Sequence, residues 1–191
     1  ANTTTANMSS STDNMSTADK FLMMARSIAQ ATLTSPHLSA INDSDITIGE
    51  HRKATKETAN FRCGNAYTIW SPGSEVFHCF IILPDPADYP SIIHNYPGRG
   101  TVELLSDFLG DQHPGEFVCA RILFRKFDHN WDRVLADFEK YFKKYPEYDL
   151  QTNNCEHFVT ALMDGKRRSF GIQNVQQTFQ ALGRSLTAKK M

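Results

Sequence analysis

Between Asn65 and Phe127 the chain carries "NAYTIWS", "EVFHCFIIL", "PSIIHNY" and "GEFVCARILFRKF", four segments rich in Val, Ile, Phe and Tyr. They are broken by "SPGS", "PDPADYP", "PGRG" and "DQHPG". β-branched and aromatic runs between such punctuation predict strands. "TVELLSDFLG", between the third and fourth, reads as a short helix or turn. After the last strand the period changes. Trp131, Val134, Leu135, Phe138, Phe142 and Tyr145 recur at three- and four-residue steps up to Pro146, which predicts a helix. A second helical pattern begins at Cys155. Strands first and helices afterwards predict an α+β fold, an antiparallel sheet packed against helices, rather than alternating βαβ units.

The rest of the chain divides by composition. Residues 1–16 are Ser/Thr/Asn-rich and read as a disordered leader. Residues 17–62 hold an expected helix, with Thr17 as N-cap and Phe21, Met24 and Ile28 on one side, and then an irregular extension with a short alternation in "ITI". Residues 63–170 are the expected catalytic domain. Residues 171–191 form an amphipathic stripe, Ile172, Val175, Phe179, Leu182 and Leu186, ending in Lys189 and Lys190. The stripe is expected to dock on the domain, with peripheral membrane contact or a partner helix as the alternatives. A net charge of -1 argues against a nucleic-acid partner bound through bulk charge. Cys63, Cys79, Cys119 and Cys155 have no CxxC spacing and no apolar run reaches a membrane span, so a cytoplasmic chain with free thiols is expected.

Chemistry concentrates at "NNCEHFVTAL". Asn153 is the expected N-cap and Glu156 its capping-box partner, which puts Cys155 in the first helical turn. Unpaired N–H groups and the helix dipole favour a thiolate there. The bland alternative is a small buried core residue. A nucleophilic thiol needs a base and a group that orients the base. His37, His51, His113 and His129 lie in polar, turn-rich surroundings and read as surface residues. His78 and His94 lie in strands, and a hairpin across "PDPADYP" brings two such imidazoles close together. A zinc site from His78, His94, Cys155 and His157 is disfavoured by the helical offset of the last two, so no metal or other cofactor is expected.

"FHCFIIL", "IIHNYPG" and "NNCEHFV" together resemble the boxes of the lecithin:retinol acyltransferase-like (LRAT-like) family, and "DGKRRSFGIQNVQ" is a looser match to the family's segment after the cysteine helix. The resemblance covers about residues 64–180 and implies a circularly permuted papain-like fold of the NlpC kind. It implies Cys155 as nucleophile, His78 as its base and His94 as the group orienting His78, with His157 structural. The implied activity is acyl transfer or hydrolysis through a Cys acyl-thioester, with a glycerophospholipid or other acyl donor. Two departures stand out. Cys79 and Phe80 come after the first histidine where the family commonly has Trp-Ala, and the amphipathic tail stands where members often have a membrane-spanning segment. The alternatives are a non-enzymatic, viral-type interaction protein with the same boxes, acting through a protein partner as a processed polyprotein piece, or a thiol amidase or peptidase on this scaffold.

Overall fold

The computed structural model describes residues 44–71, 78–84, 88–96, 99–149 and 152–170. The expected helix near residue 17 and the stripe from 172 to 186 lie outside them. The described chain is α+β, with a seven-stranded, wholly antiparallel sheet and three helices.

The strands are β1 (Ile46–Ile48), β2 (Arg52–Ala54), β3 (Ala66–Trp70), β4 (His78–Ile82), β5 (Ser91–Tyr96), β6 (Arg99–Leu104) and β7 (Phe117–Phe124). Their spatial order is β1-β7-β3-β4-β5-β6, and β2 shares the outer side of β7 with β1. Between β1 and β2 the register on β7 slips by one residue, a bulge at Gly49–His51. Gly49 lies against the Arg121 carbonyl, and a Cβ there would sit 3.3 Å from that oxygen. The four expected strands form, and β1 is the "ITI" alternation; β2 is an addition, as is β6, which takes "TVEL" from the expected short helix or turn. Its Val102 and Leu104 are 55% and 39% exposed while Glu103 turns inward, the reverse of the pattern that announces a half-buried strand.

Helix α1 (Leu105–Gln112) leaves β6 without a side-chain cap and buries Leu105, Phe108 and Leu109. Helix α2 (Trp131–Lys144) is capped by the Asn130 side chain, which accepts from the Arg133 N–H, and ends with Lys143 and Lys144 suited to the dipole. Helix α3 (Cys155–Asp164) ends at Gly165, whose left-handed φ of 71° a side chain would strain.

Two cores lie on opposite faces of the sheet. On one, Ala66, Cys79, Ile81, Ile93 and Ile122 meet Val134 and Tyr141 of α2 and Cys155, Phe158, Val159 and Leu162 of α3. On the other, Tyr67, Ile69, Phe80, Ile82, Ile92 and Phe117 meet α1, with Ala59 and Phe61 alongside. The period of two along each strand decides which side chain joins which core. On β4, Cys79 and Ile81 face α3, so His78 faces α1, where its ring lies 5.5 Å from that of Phe108. β1, β2 and the segment with Ala59 and Phe61 join the same body, although they precede the expected domain start at 63.

Candidate functional site

On the α1 face three polar groups form a line. His94 Nε2 lies 2.7 Å from Glu103 Oε1, and His94 Nδ1 lies 2.7 Å from His78 Nε2. The sheet register explains the line: Glu103 pairs with Ile92, so it is the diagonal neighbour of His94 on the same face. A carboxylate only accepts, so His94 carries its proton on Nε2 and presents the Nδ1 lone pair. His78 then donates from Nε2, which leaves its Nδ1 as the basic atom. Phe80, Tyr96 and Phe108 enclose the His78 ring. Burial first, and then His94 and His113, hold His78 well below the ordinary histidine value, so it is neutral near pH 7.

His113 belongs to this face and not to the surface. It is 6% exposed, its Nδ1 bonds to Ser71 Oγ, and its ring packs against Phe108 and Phe117. Burial brings its pKa down to about 4. The expectation of a surface residue fails because His113 caps the end of α1 and folds back over that helix's aromatic side.

Cys155 lies across the sheet from these groups. Cys155 is 3% exposed and lies against Cys79, which is fully buried in the same core. That contact first, and then burial, raises the Cys79 thiol well above its ordinary range. The Tyr148 hydroxyl lies near the start of α3, beside Cys155. The N–H groups of Glu156 and His157 donate to Asn154 Oδ1 at 3.0 Å each. Two donors that an acyl oxyanion would use at this helix start thus have a partner already.

The cap itself sits one residue later than expected. Asn154, not Asn153, caps α3, and His157, not Glu156, closes the capping box by accepting from the Asn154 N–H through Nδ1 at 3.2 Å. Asn153 is occupied elsewhere. Its amide donates to the carbonyls of Tyr145 and Glu147, and its Oδ1 accepts from the Tyr141 hydroxyl at 2.6 Å. Glu156 turns instead to the Ser169 hydroxyl. Burial first, and then Arg167, brings His157 to about 4, with Asp149 acting in the opposite direction.

Of the three residues that the resemblance joins in catalysis, the structure brings His78 and His94 together and sets Cys155 on the other face with Cys79. Glu103 and Tyr148 were not foreseen as site residues. Glu103 had one signal, a lone carboxylate between Val102 and Leu104; Tyr148 had none. Among the described residues no group of three His, Cys, Asp or Glu side chains is placed to hold a metal ion. No described helix is long and apolar enough to cross a membrane. No protein-family model matches the chain, and neither curated proteins nor solved structures give a significant match.

Proposed function

We propose that this chain is an interaction protein on an LRAT-like, permuted papain-type scaffold, in which the His boxes and the Asn-Cys box serve the fold rather than acyl transfer. One observation carries the reading: Cys155 and His78 project from opposite faces of the sheet. A base must come within hydrogen-bond reach of the thiol it deprotonates. The filled N–H groups of Glu156 and His157 at the start of α3 add support, because an acyl oxyanion would find Asn154 Oδ1 in its place.

The contact surface in this reading is the β6 edge. β6 ends the strand order, and among the described residues no strand pairs its outer side. Val102 and Leu104 are exposed there, and Tyr89, just ahead of β5, is 70% exposed. An extended apolar segment of a partner protein suits such an edge by strand addition. Lysine at Val102 and Leu104 should abolish that association and leave the melting temperature unchanged.

A second reading, phospholipase or acyltransferase chemistry through Cys155, draws on the buried His78–His94 pair. It needs β4 and β5 each shifted by one residue, which would turn both imidazoles to the α3 face. Incubation with a short-chain phosphatidylcholine separates the two. Intact mass should show no acyl adduct, and no lysolipid should be released. An adduct on Cys155 would overturn the interaction reading.

A further inference from the structure

We propose that Cys79 and Cys155 are a redox pair, and that oxidation of the folded chain joins them in a disulfide pinning β4 to the start of α3. The two thiols lie against each other inside one core, where the start of α3 packs on β4, while Cys63 is exposed and Cys119 is half-buried on the other face. The pairing arises from alternation along β4. Since His78 faces α1, the next residue must face α3, and here that residue is a cysteine at the spot where Cys155 begins its helix. The cysteine that replaces the family's usual tryptophan after the first histidine thus supplies the second thiol.

Exposure assigns the roles. Cys155 is 3% exposed and Cys79 is 0%, so Cys155 is the thiol that an oxidant meets, and Cys79 resolves it. With a hydroperoxide as oxidant, the Cys155 sulfur attacks the distal peroxide oxygen and the O–O bond breaks. Cys155 sulfenic acid forms, and the proximal oxygen leaves as water or an alcohol. The Cys79 sulfur then attacks the Cys155 sulfur. An S–S bond forms, the S–O bond breaks, and the Cys79 proton leaves with the hydroxyl as water. Two thiols lose two electrons in all, and one peroxide gains them. The bond formed is about 2.05 Å long.

Nothing in this scheme requires a base on the α3 face, so it stands apart from the question of acyl transfer. The bond would close a loop of about 75 residues, and a cross-link of that span typically raises the melting temperature by roughly 10 °C.

The test treats the full-length chain with a small excess of hydrogen peroxide, removes the peroxide with catalase, blocks free thiols with N-ethylmaleimide under denaturing conditions and maps peptides without reduction. The expected product is a Cys79–Cys155 peptide pair, with neither Cys63 nor Cys119 in an intrachain disulfide. A raised melting temperature that dithiothreitol reverses should accompany it. In Cys79→Ala, Cys155 should stop at the sulfenic acid, trapped by dimedone. Wild-type protein in which Cys79 is blocked by maleimide while Cys155 is free or carries a sulfinic acid would overturn the pairing, and that result needs no variant to fold.

Discussion

Replacing His157 with glutamine should remove part of the acid sensitivity of the fold. In the folded chain the His157 ring is neutral, because burial first, and then Arg167, brings its pKa to about 4. In the unfolded chain the ring titrates near 6.5. As the pH falls below 6.5 the unfolded state takes up a proton that the folded state refuses, so stability is present above that value and drains away towards pH 4. The gap corresponds to about 3 kcal/mol at full protonation, and about 2 kcal/mol of it is expressed between pH 7 and 5. Water at the edge of a ring that is 8% exposed trims the figure to about 1–2 kcal/mol. Glutamine at this position keeps the reach back to the N-cap N–H without the titration. Thermal melts of both proteins at pH 7 and pH 5 read the difference. Wild type should lose roughly 3–10 °C more than the variant over that interval, since each kcal/mol moves a body of this size by roughly 3–5 °C. His113 titrates in both proteins and cancels. Melting curves that fall in parallel would refute the assignment of His157 as a neutral cap.

Phe108→Ala should cost about 3–5 kcal/mol in urea unfolding, because this ring is 1% exposed and packs against Phe80, His78, His94 and His113; a loss under about 1 kcal/mol would mean that the α1 face is not a packed core. Glu103→Leu strands the buried His94 Nε2–H and should cost about 1–3 kcal/mol, while Glu103→Gln keeps an acceptor and should cost less; equal losses would dissolve the line of hydrogen bonds from Glu103 to His78. In the folded protein near neutral pH, iodoacetamide should label exposed Cys63 well before Cys155 and Cys79. Fast labelling of Cys155, measured by peptide mass, would show that the thiol is open to solvent after all.

Much of the fold was legible because β3, β4, β5 and β7 each had their own punctuation and the α2 stripe had a clean period. β6 was not. An edge strand whose apolar residues face outward carries an inverted signal, and "TVEL" runs without a break into the apolar start of α1. The site was legible in part. Two histidines on neighbouring strands could be foreseen as close, since a hairpin requires it. Their face could not, because every residue of β4 is buried and the alternation of polarity that would orient it is absent. A fully buried strand does not announce which of its sides meets the helix. The same ambiguity hid the one-residue shift of the α3 cap, since Asn153 and Asn154 have the same capping chemistry and only the carbonyls around Asn153 decide between them.

The position of β7 has a consequence for the order in which the chain can fold. β3 to β6 succeed one another as neighbours and can pair as they emerge. β7 comes after all of them, yet it inserts beside β3 at one end of that meander and supplies the surface on which β1 and β2 pair. The two earliest strands are therefore among the last to find partners. Until Phe124 is in place, β3 has an open, apolar edge and β1 and β2 are orphans. Contacts between segments this far apart in sequence slow the search for the native state. They also leave an unpaired edge exposed while it proceeds, the condition under which strands pair with the wrong chain. Loss of β7 would thus do more than shorten the sheet: it would disconnect the strands before residue 55 from those after residue 65.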